Sequence, residues 1–392
     1  MMTNIRIAEF CMTGTGGTPS RDRMERYYEG GTIPWVKSGE LRESVITDTE
    51  EYVTNTALQE TNIRLVPVGA LLLAMYGATV GRLGILGIPA TTNQAICHII
   101  PDPKVAETRY LFHALRSRVS HLLARRVGGA QPNISQAIVK DLPIPLPPLA
   151  EQWRIAAILD QAEALRAKRR HTLAKLDTLT QSLFLEMFGD PARHGWPEKS
   201  VAALASNIRT GPFGSQLLHS EFVDAGIAVL GIDNAVQNQF VWGRPRFIPE
   251  HKFRQLKRYQ VSPGDVLITI MGTCGRCAVV PDDIPTAINT KHLCCITLDH
   301  TQCLSTYLHA CFLLHPYVLH RLGIRERGAV MPGLNMQVIK ELMLPIPPLP
   351  LQREFAAQVL AVERLKASQR ASLAKLDALF ASLQHRAFRG EL

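Results

Sequence analysis

Two arginines are the first candidates for chemistry, because each directly follows a glycine at a similar place in one half of the chain. Gly81-Arg82 and Gly275-Arg276 both suit a tight turn with an arginine at its end. A guanidinium presents five N–H donors in a planar fork, which fits a phosphate or the O6 and N7 atoms of guanine. Contact with DNA is one interpretation, and a solvated turn arginine is the other.

A second set of basic residues recurs beside glycine loops. Arg125 and Arg126 lie just before one such loop, and Arg325 and Arg327 lie just before the matching loop. Repetition in both halves favours a DNA-facing role, since basic side chains make many of the phosphate contacts in DNA complexes. The further candidates for DNA binding, each also compatible with an ordinary surface position, are Lys37, Arg42, Tyr76, Gln131, Asn133, Arg244, Arg246, Lys257, Arg258 and Lys291.

Common catalytic motifs are absent from the sequence. It has no Gly-x-x-x-x-Gly-Lys-Ser/Thr nucleotide loop, no His-Glu-x-x-His zinc motif and no Asn-Pro-Pro-Tyr motif of amino-methyltransferases. Gly14-Thr-Gly-Gly17 is rich in glycine, but the nearby Pro19 favours a plain turn. These observations predict a chain without catalytic residues, and a self-contained nuclease or methyltransferase is the less favoured alternative.

The cysteines suggest a metal site only weakly. Cys274-Gly-Arg-Cys277 has the spacing of a ligand pair, and six of the eight cysteines lie in the second half of the chain. The matching turn of the first half, around Thr79 and Leu83, contains no cysteine. A single Cys-x-x-Cys without a second pair is weak support for zinc. We therefore expect no metal and no cofactor bound by this chain.

Composition favours a polyanionic partner and a reducing compartment. The formal net charge is +9, which favours nucleic acid or a phospholipid surface. The N-terminus has no apolar segment typical of a signal peptide, and cysteines without a secretory signal are typical of reduced cytosolic thiols. The apolar stretch from Val68 to Ala90 is broken by glycines and Arg82, so it predicts a strand, a turn and a strand instead of a membrane span. The expected location is cytoplasmic.

The elements that must position these residues occur twice. Pro145-Leu-Pro-Pro-Leu149 returns as Pro345-Ile-Pro-Pro-Leu349, and Leu173-Ala-Lys-Leu-Asp177 returns as Leu373-Ala-Lys-Leu-Asp377, each about 200 residues later. The equal spacing means that the two copies match without insertions, so the chain consists of two tandem halves. The prolines exclude a helix and favour a stiff, extended hinge.

A long helix is predicted after each proline hinge. Each run lacks Gly and Pro over about 35 residues, which corresponds to a rod of about 55 Å. Its apolar residues recur in a heptad pattern, a narrow seam that suits pairing of the two helices. The predicted pairing residues are Ile155, Ile158, Leu165, Leu176, Leu179 and Leu183 in the first helix, and Phe355, Val362, Leu365, Leu376, Leu379 and Leu383 in the second.

These elements predict an α+β fold of two tandem globular domains separated by two long helices. The helices pair as an antiparallel coiled coil if the two halves are related by a pseudo-twofold axis. The predicted segments are a first globular domain over 1–143, a hinge and helix over 144–190, a second globular domain over 191–344, and a second hinge and helix over 345–392. The frame is nearly identical in the two halves while the globular parts differ, which is typical of two readers of different targets.

The chain resembles the specificity subunit of type I restriction-modification systems over essentially its whole length. The residues that carry the resemblance are Pro145-Leu-Pro-Pro-Leu-Ala-Glu-Gln152, the Leu-Ala-Lys-Leu-Asp repeats, Gly16-Gly-Thr-Pro-Ser20, Ile33-Pro-Trp-Val-Lys37 and Thr210-Gly-Pro-Phe-Gly-Ser-Gln216. Leu351 departs from the pattern, since the first copy has Glu151 there, and this predicts a less typical start for the second helix.

The resemblance implies a function and a set of partners. Each globular domain would read one half of a bipartite, asymmetric site in double-stranded DNA, and the paired helices would fix the gap. They would also dock two methyltransferase subunits, to which restriction and translocase subunits attach. S-adenosylmethionine, ATP and Mg²⁺ would be bound by those partner subunits. The alternative from a different class is a coiled-coil adaptor that binds only proteins.

Overall fold

The computed structural model describes residues 3–124, 133–189, 195–323 and 334–392. The chain forms two compact units, and each combines one globular domain with a segment of each long helix. The first unit contains Met1–Arg170 and Ala371–Leu392, and the second contains His171–Arg370. Each long helix is therefore divided between the two units.

The first unit has a mixed α+β domain. Its strands are β1 Asn4–Arg6, β2 Cys11–Thr15, β3 Ile33–Val36, β4 Val45–Ile46, β5 Tyr52–Val53, β6 Leu71–Ala74, β7 Leu83–Leu86, β8 Thr91–Thr92, β9 Ile96–Pro101 and β10 Pro143–Pro145. Its helices are α1 Ile7–Phe10, α2 Met24–Tyr27, α3 Asn55–Glu60, α4 Thr108–Ala124 and α5 Gln136–Lys140, followed by the long helix α6 Leu149–Phe188.

The second unit repeats this plan. Its strands are β11 Glu198–Ser200, β12 Ala205–Thr210, β13 Ile227–Leu230, β14 Phe247–Ile248, β15 Gln260–Val261, β16 Val266–Thr269, β17 Cys277–Val279, β18 Ala287–Asn289, β19 Leu293–Leu298 and β20 Met343–Pro345. Its helices are α7 Val201–Leu204, α8 Glu250–Leu256, α9 Ser305–Leu314, α10 Pro316–Arg321 and α11 Met336–Glu341, followed by the long helix α12 Leu349–Ala387.

The sheets have the same topology in both units. The order β2-β9-β6-β7 of the first unit, extended by β4, matches β12-β19-β16-β17 of the second. A smaller sheet pairs β3 with β8 in parallel in the first unit, and β13 with β18 in parallel in the second. The predicted α+β fold with two domains and two long helices is confirmed, and the stretch Val68 to Ala90 contains strands β6 and β7 joined by a turn.

The proline hinge is extended, as predicted, and it belongs to a sheet. Strand β10 pairs antiparallel with β1, and β20 pairs antiparallel with β11. Each of these is a two-stranded sheet, so the proline strand lies at an edge, where a missing backbone N–H is tolerated. A tyrosine secures each hinge, because the hydroxyls of Tyr110 and Tyr307 donate hydrogen bonds of 2.6 Å to the carbonyls of Pro145 and Pro345.

A buried glutamine fixes the start of each long helix on its own domain. The side chain of Gln152 donates to the carbonyls of Val105 (2.9 Å) and Pro147 (2.8 Å), and accepts from the backbone N–H of Glu107 (2.8 Å). Its three partners belong to the domain and the hinge, so the amide joins helix, hinge and domain in one place.

Gln352 makes the equivalent three bonds in the second unit. It donates to the carbonyls of Gln302 and Pro347 and accepts from the N–H of Leu304. Helix α12 begins at Leu349 as α6 begins at Leu149, so Leu351 does not move the helix start, and the less typical start is limited to the missing acidic residue that Glu151 supplies in the first turn of α6. The reason is that the buried Gln352 makes these bonds, whereas residue 351 is only half-buried.

The helix segments join the core of each unit and run antiparallel within it. In the first unit Arg166 bonds Asp377 at 2.6 Å while Arg154 bonds the carbonyl of Leu392 at 2.8 Å, so contacts move up one helix as they move down the other. In the second unit the ring of Phe188 lies 5.3 Å from that of Phe355 and 5.0 Å from that of Tyr307. The predicted antiparallel pairing is confirmed within each unit.

The buried seam of the helices is shifted by one residue from four predicted positions. Leu165, Leu179, Leu365 and Leu379 are between 38% and 52% exposed, so their predicted pairing is wrong. The residues turned inward instead are Arg166, Thr180, Lys366 and Phe380. Steps of four then three residues have the same period as steps of three then four. The positions of the leucines favoured steps of three then four, whereas the buried seam follows steps of four then three. Two positions of the buried seam carry the cations Arg166 and Lys366, which concealed it in the sequence.

The other predicted pairing residues lie on the inner side of the helices. Ile155, Phe355 and Val362 are buried. Half-buried positions are Ile158, Leu176, Leu183, Leu376 and Leu383. Their individual pairing across the seam stays a prediction, as does the division of the chain into four segments.

The glutamine at the helix start gives a stability prediction. Replacing Gln152 with Leu keeps the volume but leaves two carbonyls and one N–H without their partner, which costs about 3 kcal/mol of unfolding free energy. Urea denaturation of the full chain, followed by circular dichroism, measures this loss. Glu151→Leu is the matched control, since it copies Leu351 of the other half and removes only an exposed ion pair with Arg154. Equal stability of the two variants would contradict the assigned role of Gln152.

Candidate nucleic-acid interface

The two glycine turns have the same backbone geometry. Gly81 and Gly275 have φ angles of +85° and +76°, a region that favours glycine. In both turns the backbone carbonyl of the arginine accepts a hydrogen bond from a backbone N–H of the preceding strand. Ala74 donates to Arg82 at 2.9 Å, and Thr269 donates to Arg276 at 2.8 Å. Both arginine side chains are exposed. Each turn therefore presents one guanidinium to solvent on an otherwise rigid strand connection.

A cationic side chain lies beside the end of β3 in the first domain and beside the end of β13 in the second. In the first domain it is Lys37, whose Nζ lies 2.8 Å from Glu51 and 3.0 Å from Glu50. Hydrogen bonds to these two carboxylates raise the pKa of the Lys37 ammonium. A side chain of this kind is already compensated, so a phosphate would have to compete with two carboxylates for it.

In the second domain the cation at this place is Arg246, which directly precedes strand β14. Gly231 follows β13 where Lys37 follows β3, and a Cβ on Gly231 would come within 2.4 Å of the guanidinium of Arg246. Arg246 forms an ion pair with Asp233, whose other oxygen accepts from the backbone N–H of Arg244 at 2.7 Å. The absence of a side chain at Gly231 leaves this space to the guanidinium of Arg246.

Three basic groups of the second domain lie close enough to interact. Burial lowers the pKa of His292, and the positive charges of Lys291 and Arg246 lower it further. Burial is the larger of these causes, and Arg246 is already paired with Asp233, so an anion at this place would have to compete with that carboxylate.

The remaining candidates are dispersed. Tyr76 is half-buried and packs against the core of the first domain. Arg42, Asn133, Arg244, Lys257 and Arg258 are exposed. Arg125, Arg126, Gln131, Arg325 and Arg327 lie outside the described residues. The role of each of these residues in DNA contact stays a prediction.

Two exposed aromatic residues of the second domain add to the candidates. Phe213 is 48% exposed on a loop closed by Gly214, and Trp242 is 59% exposed with its ring 5.3 Å from that of Phe240. Exposed rings suit stacking or apolar contact with bases. The exposure of these two rings could have been predicted from the sequence, because each stands next to a glycine in a loop that also holds polar residues.

The thiols do not gather into a ligand set. All eight cysteines are free, and burial raises the pKa of Cys277 and Cys294. Among the described residues no three or more His, Cys, Asp or Glu side chains are grouped so that they could hold a metal ion. In the same part of the chain, no helix is both long enough and apolar enough to cross a membrane.

The junction between the first domain and its helix segments is held by ion pairs. Arg109 forms two bonds to Asp160, at 2.7 and 2.8 Å, and His113 lies 2.8 Å from the same carboxylate. Arg116 links Glu163 of the helix to Glu43 of the domain at 2.9 and 3.0 Å. Burial alone would raise the pKa of Asp160, but hydrogen bonds from His113 and Arg109 outweigh it and lower the pKa. The junction is rigid and charged.

The fold defines a class of duplicated protein in which two α+β domains are each joined to segments of two long helices. A family model described as the type I restriction modification DNA specificity domain matches residues 2–176 and 235–376. The MjaIX specificity subunit of a type I restriction enzyme from Methanocaldococcus jannaschii is 24% identical over 379 residues, which are 90% of this chain and 85% of the relative.

Two further proteins are similar. The EcoR124I/EcoR124II specificity subunit from Escherichia coli is 29% identical over 173 residues, 43% of this chain and 39% of that protein. The crystal structure of an S subunit from M. genitalium covers 99% of this chain and 96% of its own, with a TM-score of 0.60 and 15% identity, so it supports the fold. The chain belongs to the type I restriction-modification DNA specificity family and is a specificity subunit of such a system.

The ion pairs of Asp160 give a pH prediction. A carboxyl whose pKa is lower in the folded chain stabilises the fold above its unfolded pKa of about 4, and this stabilisation is lost as the pH falls through the folded value. Asp160→Asn should lower the unfolding free energy by about 1 to 2 kcal/mol at pH 7, given the partial exposure of the group. The difference between variant and wild type should shrink from pH 5 towards pH 3 in urea titrations, and a constant difference would contradict the assignment.

Proposed function

We propose that the two domains bind the two halves of a bipartite, asymmetric site in double-stranded DNA. The observation that carries this proposal is the duplication: both domains place an exposed arginine on the same glycine turn, while the loops around it differ. Phosphate contacts supply affinity that depends steeply on salt, and a few base contacts in each domain supply specificity. Half-sites about one helical turn apart, or about 10 bp, suit readers on a stiff spacer.

The chain acts without catalytic residues of its own. Support comes from the missing catalytic motifs and from the family, whose model is described as a DNA specificity domain. Methyl transfer from S-adenosylmethionine and the ATP- and Mg²⁺-dependent steps then take place on partner subunits, and the complex acts on DNA in the cytoplasm. A coiled-coil adaptor without DNA binding is the less favoured candidate, because a basic pair of domains would have no purpose in it.

The long helices set the gap and dock two methyltransferase subunits, to which restriction and translocase subunits attach. Support comes from their outer faces, which expose large apolar side chains beside the buried seam. The exposed residues are Trp153, Leu165, Leu179, Leu185, Leu360, Leu365 and Leu379. Contiguous exposed apolar patches mark protein interfaces, and these side chains are the candidates for such a contact. The predicted coiled-coil leucines that are not buried in the seam are explained by this role.

Exchange of one domain tests the two-reader model. Replacing the first globular domain with that of a relative of different specificity, while keeping both helices, should change one half-site and leave the other half-site and the gap unchanged. Sequencing of modified bases in cells with and without each gene reads both half-sites together. A change in both half-sites would contradict the proposal.

The arginines on the glycine turns give a residue-level test. Arg82→Gln and Arg276→Gln should each weaken DNA binding by the assembled complex and reduce the slope of log affinity against log salt by about one. Fluorescence anisotropy at several salt concentrations measures both quantities. Arg64→Gln is the matched control, since Arg64 is exposed and is not a candidate. If Arg64→Gln had the same effect as the turn variants, the turns would have no special role.

A further inference from the structure

A cavity of about 550 Å³ lies where the second domain meets its helix segments. Its walls come from α6, α9, α12, the end of β17 and the loop after β13. Apolar residues on these walls include Val279, Ala310, Leu313, Phe355 and Val359. Pockets of this volume with mostly apolar walls and a few polar groups are typical of small-ligand sites.

The two units can be compared residue by residue at this place. Tyr110 and Tyr307 make the same bond to the hinge, which aligns α4 with α9. On the helices, Asp377 pairs with Arg166 in the first unit as Asp177 pairs with Lys366 in the second. The space of the cavity in the second unit therefore has a defined counterpart in the first.

In the first unit that space is filled by an aromatic ring. Phe380 is 5% exposed, and its ring centre lies 4.4 Å from the guanidinium carbon of Arg166 and 5.3 Å from that of Arg116. The ring of His113 completes the packing at 6.2 Å. Contact between a ring face and a cation is favourable, particularly where water is excluded.

In the second unit the equivalent side chains are smaller or apolar. Thr180 stands in the position of Phe380, Ala310 in that of His113 and Leu313 in that of Arg116. All three line the cavity. The cavity therefore exists because a phenyl ring, an imidazole and a guanidinium of the first unit have no counterpart in the second.

The groups that bordered the ring are kept. Glu363 bonds Lys366 at 2.9 Å, as Glu163 bonds Arg166 at 2.6 Å. Lys366 is 7% exposed and lines the cavity together with Arg370. Lys366 keeps ion pairs with Glu363 and Asp177, which also line the cavity, but it lacks the contact with a ring that Arg166 makes in the first unit.

The cavity also offers hydrogen bonds to a polar substituent. The hydroxyl oxygen of Thr180 is buried and has no hydrogen-bond partner within the described part of the chain. Gln181, Gln237 and Gln239 add amide groups to the wall. The loop is held in place by His309, whose Nε2 lies 3.0 Å from the carbonyls of Asn238 and Cys277. Burial lowers the pKa of His309, which favours its neutral imidazole.

We infer that this cavity is a binding site for an aromatic ring with one hydrogen-bonding group, such as a phenol or an indole. The ring takes the place that Phe380 fills in the first unit, beside Lys366, and its polar group bonds the hydroxyl of Thr180. Since a cavity of about 150 Å³ holds benzene, there is room here for a one- or two-ring group and a few waters. The ring comes either from a free small molecule or from an aromatic side chain of a docked partner protein.

Indole is the probe that tests the site on the full-length chain without DNA. Ligand-observed NMR and thermal unfolding should detect one indole per wild-type chain. Thr180→Phe copies the first unit and should weaken indole binding at least tenfold while keeping the circular dichroism spectrum. Ala310→Leu fills the same space from α9 and gives the same test if Thr180→Phe does not fold. Equal binding of indole to wild type and to both folded variants, or no binding to wild type, would overturn the inference.

The first unit supplies a matched control. Phe380→Thr opens the equivalent space beside Arg166, so this variant should bind a second indole. Binding by Phe380→Thr at one site only, with none detectable in wild type, would show that the natural cavity is not a ring site and would overturn the inference.

Experiments on the complex with the methyltransferase subunit show whether the ring comes from a partner protein or from a free molecule. Only these experiments rest on the proposed function. If a partner side chain is the occupant, assembly should displace indole and Thr180→Phe should weaken assembly at least tenfold. If a free molecule is the occupant, the complex should bind indole as the isolated chain does and Thr180→Phe should assemble normally. Both outcomes support the ring site. Failure of DNA recognition would leave indole binding unchanged, so the two proposals fail separately.

Discussion

The structure depends on the attachment of each long helix to its own domain by one buried glutamine. Gln152 and Gln352 each bond two carbonyls and one N–H, and they join a domain, a proline hinge and a helix start. Since the amide is buried, a helix that tilts or shifts loses all three bonds together. This makes the direction of the helix a property of the domain, which is what a spacer between two DNA readers requires.

The two units share the same backbone arrangement but differ in how completely side chains fill the junction between the domain and its helix segments. In the first unit the junction is closed by the ion pairs of Asp160 and Glu163 and by the ring of Phe380. In the second unit Thr180 and Ala310 leave a cavity beside the same kind of cation. The two units therefore keep the same backbone arrangement while their side chains at the junction have diverged.

The basic residues that the sequence offered as candidates for DNA contact fall into two groups, one exposed and one held by carboxylates. Arg82 and Arg276 are exposed, and among the described residues neither forms an ion pair with a carboxylate. Lys37 and Arg246 are held by carboxylates, and their first role is to order the loops after β3 and β13. Sequence spacing could not separate these two groups, since the carboxylates that pair with Lys37 lie 13 and 14 residues away.

The sequence by itself determined the duplication, the α+β class, the extended hinges, the long helices and the family, because these depend on repeated motifs and on local rules for proline and for helical periodicity. Only the tertiary structure decided which helix face is buried. Leu165 and Leu365 are exposed while Arg166 and Lys366 are turned inward, because acidic partners on the opposite helix compensate the buried charges. The cavity beside Lys366 is likewise invisible in the sequence, since it results from three substitutions on elements that are distant in the chain and adjacent in the fold.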